Sequence, residues 1–317
     1  MSKRSCVFFG VAVIAAAALA TLIVWVRSCG SDAPLADDYY ASFRSECPLE
    51  QHYSQLGPHE VLQLDLPNED ERIGAIRMWY PSELETTEAL WPVVVVVNAS
   101  GTPASGYEPW FARLASWGFV VVGNEDPQTG TGETASLTLD AIMDLPERCP
   151  LAGRLDEDRM GIVGFSQGGA GALAALTQYK NGGRYRTVFT GSAAYPFLAE
   201  NMGWHYDASQ VSVPWLMVAG TGATDDMGVE DSTEKFGGVA PLSSLVEDYN
   251  TVDPSLPRVR ARAVGAEHED MLVRSDGYMT AWLLWQLCGD GDAAKAFVGT
   301  DAEITHNPGW QDVEKSV

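Results

Sequence analysis

Gly161-Ile162-Val163-Gly164-Phe165-Ser166-Gln167-Gly168-Gly169-Ala170-Gly171-Ala172-Leu173-Ala174-Ala175 carries the strongest structural signal in the chain. Its first five residues form a short apolar run of the kind found in a buried strand, and its last half is a small-residue helix. Between them lies Gly164-x-Ser166-x-Gly168. A serine on a tight strand-to-helix turn needs small neighbours, because its backbone is strained and passes close to the preceding strand. Such a turn lifts the hydroxyl out of the sheet and sets it at the positive end of the helix dipole. The motif alone is weak in a glycine-rich sequence, but the strand–turn–helix context it requires is present. Ser166 is therefore the candidate nucleophile.

Outward from this turn, strand-like and helix-like segments alternate. Residues 61–66 and 75–80 read as the first strands, separated by the turn-rich Pro67-Asn68-Glu69-Asp70. Residues 93–97 are five consecutive valines, the mark of a strand buried on both faces. Tyr107, Trp110, Phe111, Leu114 and Trp117 recur at helical spacing and Gly118 stops that helix. Further strands are predicted at 119–122, 187–190 and 214–219, and helices at 134–145, 168–178 and around Tyr278, Ala281, Trp282 and Trp285. Residues 258–263 alternate Arg-Val-Arg-Ala-Arg-Ala, which predicts a strand with one wet face near a sheet edge. The alternation predicts an α/β fold with a mostly parallel central sheet covered by helices on both faces.

With 317 residues, 46% of them hydrophobic, the chain can bury a full core. Its 20 basic and 43 acidic residues leave a net charge of −23, which repels phosphate backbones and argues against a nucleic-acid partner. Lys3 and Arg4 precede an uncharged apolar segment of 21 residues at 6–26, long enough to cross a hydrocarbon core of about 30 Å. Apolar residues continue past the small-residue site at Ala18-Leu19-Ala20, so an uncleaved anchor is favoured over a cleaved or lipidated form. The charge asymmetry keeps the N-terminus inside and turns the body outward. The domains expected are an anchor or signal segment at 1–29, a polar tether at 30–58 and the catalytic domain at 59–317. The protein is expected to be exported, and either held on the outer face of the cytoplasmic membrane or secreted if the segment is cleaved. Residues 1–29 hold three cations and no acid, so the remainder carries −26. Of five cysteines, Cys47, Cys149 and Cys288 leave room for one disulfide of undetermined pairing. No Cys/His spacing suggests a metal, and no cofactor is expected.

A serine needs a base. With the order serine, acid, histidine, only His268 and His306 follow a plausible acid. His268 comes just after the 258–263 strand, where a base-bearing loop belongs, whereas His306 lies in a polar tail. The acid is expected after the 214–219 strand, in Gly220-Thr221-Gly222-Ala223-Thr224-Asp225-Asp226. Its task is to accept the His268 Nδ1–H and fix the tautomer. Asp225 is preferred because it lies nearer the strand end, with Asp226 the second choice. An oxyanion hole needs two backbone N–H groups. One is expected from Gln167. The other is expected from the loop Asn98-Ala99-Ser100-Gly101-Thr102-Pro103, where Gly101 or Thr102 must donate because Pro103 cannot; Thr102 is preferred.

These residues resemble the α/β-hydrolase superfamily, specifically its cutinase-like and dienelactone-hydrolase-like esterases and polyester hydrolases. The similarity is carried by Asn98-Ala99-Ser100-Gly101-Thr102, by Ala115-Ser116-Trp117-Gly118-Phe119-Val120-Val121, by Arg154-Leu155-Asp156-Glu157-Asp158-Arg159-Met160 and by the serine turn. It implies a triad of Ser166, His268 and an aspartate, without metal or organic cofactor. Two positions depart: polyester-cleaving cutinases commonly have an aromatic residue at Thr102 and methionine at Gln167. They also carry a tryptophan after the sixth strand, for which Tyr195 and Trp204 are loose matches. The expected activity is that of a serine carboxylesterase acting on a small-molecule or lipid-like ester through an acyl-enzyme. A lipase, peptidase or acyltransferase on the same fold, or a non-catalytic surface binding protein, are the alternatives. Acyl chain length and oligomeric state are not legible.

Overall fold

The five valines lie in β3 (Trp91–Val97), the strand around which the sheet is built. Val94 and Val96 pack into one hydrophobic layer, and Val93, Val95 and Val97 into the other. Each buried valine contributes up to about 1.5–3 kcal/mol of gross stabilisation. The computed structural model describes residues 35–229 and 235–317. Among these, nine strands form one sheet in the order β1-β2-β4-β3-β5-β6-β7-β8-β9. The others are β1 (Val61–Pro67), β2 (Ala75–Pro81), β4 (Val120–Asn124), β5 (Leu155–Phe165), β6 (Tyr185–Gly191), β7 (Trp215–Gly220), β8 (Arg258–Ala263) and β9 (Trp310–Ser316). The six from β4 to β8 are mutually parallel, while β1, β2 and β9 join antiparallel.

The helices are α1 (Pro48–Tyr53), α2 (Glu108–Ala115), α3 (Glu133–Met143), α4 (Gln167–Gln178), α5 (Pro196–Met202), α6 (Leu242–Thr251), α7 (Met271–Arg274), α8 (Asp276–Cys288), α9 (Gly291–Ala294) and α10 (Glu303–His306). Trp110 and Phe111 of α2, with Trp282 and Leu283 of α8, cover one face of the sheet. Leu139 and Ile142 of α3, Ala172 and Leu173 of α4 and Tyr249 of α6 cover the other. Parallel strands joined by helices that alternate faces bring the C-terminal ends of β3, β5, β7 and β8 to one edge, where loop-borne side chains can converge.

Three expectations are corrected. The stretch expected as a polar tether is, from Leu35 onward, part of the same compact unit as the sheet. Tyr39 and Tyr53 are buried in its core, and the Tyr39 hydroxyl donates to Asp276 Oδ2 at 2.7 Å. Glu50 is buried too: its carboxylate accepts from Asn307 Nδ2 (2.7 Å) and Trp310 Nε1 (2.6 Å) and pairs with Arg274. A carboxylate this well partnered can leave water, which composition alone does not reveal. Second, the polar tail beyond the last long helix contains a strand, β9, paired antiparallel with β8. Third, the arginine face of β8 is therefore not wet. The Arg258 guanidinium lies 4.6 Å from the Tyr249 ring, Arg262 pairs with Asp226 and Asp312, and Arg260 pairs with Glu314. The apolar segment at 6–26 lies outside the described residues. Among the described residues no helix is long and apolar enough to cross a membrane. Cys47, Cys149 and Cys288 are all unpaired, so no disulfide joins any two of them.

Candidate active site

Ser166 stands between β5 and α4 with φ 55° and ψ −124°, a conformation that costs an ordinary residue on the order of 1–3 kcal/mol. The glycines around it allow this turn. A Cβ on Gly164 would lie 2.0 Å from the Gly168 carbonyl oxygen, and one on Gly168 would lie 2.1 Å from the Val97 oxygen. The strand and helix approach so closely that no side chain fits at either position. Backbone bonds pin the turn from the β6 side: Ser166 N–H donates to Gly191 O, and Ala194 N–H donates to Ser166 O, both at 3.0 Å.

The Ser166 Oγ lies 2.9 Å from His268 Nε2, and His268 Nδ1 lies 2.7 Å from Asp225 Oδ1. His268 is carried by a short 3-10 turn (His268–Asp270) after β8, and Asp225 by the loop after β7. Asp225 is wholly buried, and its second oxygen accepts from Gly220 N–H (2.7 Å) and from the Ser192 hydroxyl. Burial opposes protonation of His268, but the Asp225 charge and hydrogen bond outweigh it. Glu269 adds to the pull, and the imidazole pKa ends above its ordinary value.

Asp226, the second choice for the acid, faces elsewhere. It pairs with Arg262 of β8 and accepts from Gly228 N–H at 2.8 Å, bracing the loop. His306 is exposed at the end of α10, its Nε2 3.3 Å from Thr300 O. Glu267, beside the histidine in sequence, turns to Thr224, accepting from its N–H at 3.0 Å and its hydroxyl at 2.5 Å. The Thr224 hydroxyl in turn accepts from His268 N–H at 2.8 Å, so one threonine staples the aspartate loop to the histidine loop.

Gln167 is the first residue of α4, so its N–H has no carbonyl four residues back within the helix and points out of the helix end. In the loop after β3, Gly101 N–H donates to Pro127 O at 3.0 Å and Thr102 N–H to Ala99 O at 3.2 Å. Gly101 is thus committed elsewhere, and Thr102 sits in the longer, weaker bond. The loop is stiffened from below by Asn98, which donates to Asn124 O (2.8 Å) and Asp126 O (2.9 Å) and accepts from the Tyr107 hydroxyl (2.8 Å). Ser100 Oγ donates to the Gln167 side-chain oxygen at 2.8 Å, tying this loop to the start of α4. Tyr195 is held through its hydroxyl, which donates to Lys235 O (2.7 Å) and accepts from Gly237 N–H (3.2 Å). The Trp204 ring lies against Gly130, where a Cβ would be 2.3 Å away.

Reading the sequence missed Ser192 and Thr224. Ser192 carries no motif, and Thr224 was only one polar residue in a polar loop. The one available signal for Thr224 was its place directly before the two aspartates.

An α/β sheet with a serine at the strained turn after its central strand, and a histidine and a buried aspartate from the loops beyond, is the architecture of the α/β-hydrolases. The chain is an α/β-hydrolase that acts on ester bonds. It belongs to the PET hydrolase-like family, whose model matches residues 50–230. It is 28% identical over 245 residues to the bis(hydroxyethyl) terephthalate hydrolase of Streptomyces coelicolor, a match covering 75% of this chain and 69% of that protein.

Proposed function

We propose that the protein is a serine carboxylesterase working through an acyl-enzyme, with Ser166 as nucleophile, His268 as general base and acid, and Asp225 as the carboxylate that orients the histidine. The observation that supports this reading is the unbroken chain from Ser166 Oγ to His268 Nε2 (2.9 Å) and from His268 Nδ1 to Asp225 Oδ1 (2.7 Å). Asp225 accepts the Nδ1–H, so Nε2 carries the lone pair that takes the serine proton as Oγ attacks the ester carbonyl. The carbonyl oxygen becomes an oxyanion. Gln167 N–H, at the positive end of α4, donates to it, and Thr102 N–H shares its donor between Ala99 and the oxyanion. His268 then protonates the leaving alcohol. Water, deprotonated by the same nitrogen, attacks the acyl-enzyme and releases the acid.

The relative named for bis(hydroxyethyl) terephthalate makes that diester the natural first substrate to assay. Short esters suit this site better than a polymer chain. Thr102 offers no ring beside the oxyanion position, and the Tyr195 ring is fixed through its hydroxyl. Attachment to a membrane through residues 6–26, with the body on the outer face, completes the proposal. Mass spectrometry of the native N-terminus tests it, because an intact Met1–Val26 peptide supports the anchor and a trimmed terminus overturns it.

The enzymatic reading is tested with the full chain, a fluorophosphonate probe and nitrophenyl acetate, beside Ser166→Ala. Labelling and hydrolysis that both vanish in the variant support the mechanism. Hydrolysis that survives Ser166→Ala refutes it.

A further inference from the structure

The turn that follows β6 touches both ends of the Ser166–His268–Asp225 chain. Gly191 O accepts from the Ser166 N–H and Ala194 N–H donates to the Ser166 carbonyl, each at 3.0 Å, so residues 191–194 grip the backbone of the serine. Between them, Ser192 N–H donates to Val218 O of β7 at 2.7 Å, and its hydroxyl reaches the Asp225 carboxylate. An ionised carboxylate only accepts, so the hydroxyl is the donor.

We propose that Ser192 is a positioning residue of the site, whose hydroxyl fixes the Asp225 carboxylate and, through the 191–194 turn, sets the acid against the nucleophile. The proposal rests on the reading of Ser166, His268 and Asp225 given above.

Three observations carry it. Ser192 is only 1% exposed, so its hydroxyl has no access to water and its partner there is the Asp225 carboxylate. Its φ is 44°, in the left-handed region where a non-glycine residue is strained by about 1–2 kcal/mol. Glycine would relieve that strain but could not donate. Finally, Asp225 Oδ2 takes two donors from two different strands, Ser192 after β6 and Gly220 N–H (2.7 Å) at the end of β7, while Oδ1 faces His268. Rotation of the carboxylate away from His268 breaks all of these bonds together. Glu267 is occupied by Thr224, and Glu269 is the other acid acting on His268.

The test compares Ser192→Ala and Ser192→Gly with wild type in the full chain. Both lose the hydroxyl, but only glycine relaxes the backbone. The expected result is a fall in kcat for nitrophenyl acetate of about 10–100-fold in both variants with KM little changed, on the scale of the loss that follows removal of an outer partner of a metal-binding histidine or carboxylate. The acid limb of the kcat/KM profile moves to higher pH, because Asp225 with one donor fewer concentrates its charge on the oxygen facing His268. The downfield proton resonance of the His268–Asp225 hydrogen bond shifts or broadens. Ser192→Gly, free of strain, melts above Ser192→Ala, which separates the chemical effect from a folding defect. If Ser192→Gly keeps wild-type kcat and an unmoved acid limb, Ser192 is a structural residue and the proposal is overturned. Loss of the probe signal only in Ser166→Ala keeps the underlying mechanism standing in that event. If wild type shows no Ser166-dependent labelling, both readings fall.

Discussion

Replacing each of the two adjacent aspartates by asparagine separates a proposed chemical role from a structural one. In Asp225→Asn the side chain has one acceptor where the carboxylate had two. Gly220 N–H can only donate, and it lies 2.7 Å from the Oδ2 position, so the amide oxygen is drawn there. The amide NH2 group then faces His268 Nδ1, at the site where Oδ1 lay 2.7 Å away. Nδ1 must become the acceptor, the proton moves to Nε2, and the imidazole offers Ser166 a donor instead of a lone pair. Where this wrong tautomer has been imposed on a serine–histidine–aspartate site with its geometry intact, kcat falls by about 10⁴, which at 1.36 kcal/mol per decade is about 5.4 kcal/mol of transition-state stabilisation. Asp226→Asn differs. Arg262 keeps Asp312 at 2.7 Å, and the asparagine oxygen still accepts from Gly228 N–H, so the cost is on the order of 1–3 kcal/mol of stability with kcat near wild type. The assay is pre-steady-state hydrolysis of nitrophenyl acetate beside thermal unfolding of each variant. Equal losses of kcat in the two variants, or a larger loss in Asp226→Asn, would refute the assignment of the acid and the tautomer argument with it.

Because the pKa of His268 is raised, the imidazolium persists to higher pH than in a free histidine, and the base is lost as pH falls through that raised value; the acid limb of kcat/KM should lie above that of unperturbed imidazole, and a limb at or below it contradicts the Asp225 pairing. Burial pushes Asp248 up to about 7 from 3.8, so its contribution to stability is full below the unfolded value and is lost as pH rises through about 7. Asp248→Asn should therefore be more stable than wild type at pH 8, by on the order of 2–4 kcal/mol, with the gap closing towards pH 4 in denaturant titrations. Glu50→Ala strands Arg274, Asn307 and Trp310 without their shared acceptor, and a loss of about 3–5 kcal/mol of unfolding free energy is expected from urea titration, with kcat of the folded fraction retained.

The central α/β layers were legible because burial writes itself into local sequence. Five consecutive valines belong to a strand covered on both sides, and glycines around Ser166 belong to a turn where two backbones nearly touch. Ser166 and the loop positions of His268 and Asp225 followed from that turn and from chain order. The role of residues 35–58 was not legible, since its cause is distant. Glu50 is made tolerable in the core by partners more than 220 residues away, and nothing within the segment announces them. The same holds for β8, whose arginines read as a wet face because the β9 strand and the Tyr249 ring that partner them come from elsewhere in the chain.

By itself, then, the sequence pointed to the class of fold, to the serine proposed here as nucleophile, to the histidine expected to serve it and to a choice of two adjacent acids. Tertiary structure decided which acid faces the histidine. Adjacent residues in a loop point in different directions, and only the packed backbone fixes which one meets Gly220, Ser192 and His268 and which one meets Arg262. It also supplied the Thr224 staple and the 191–194 turn, because a hydroxyl acquires a function only through the partner that folding brings within 3 Å.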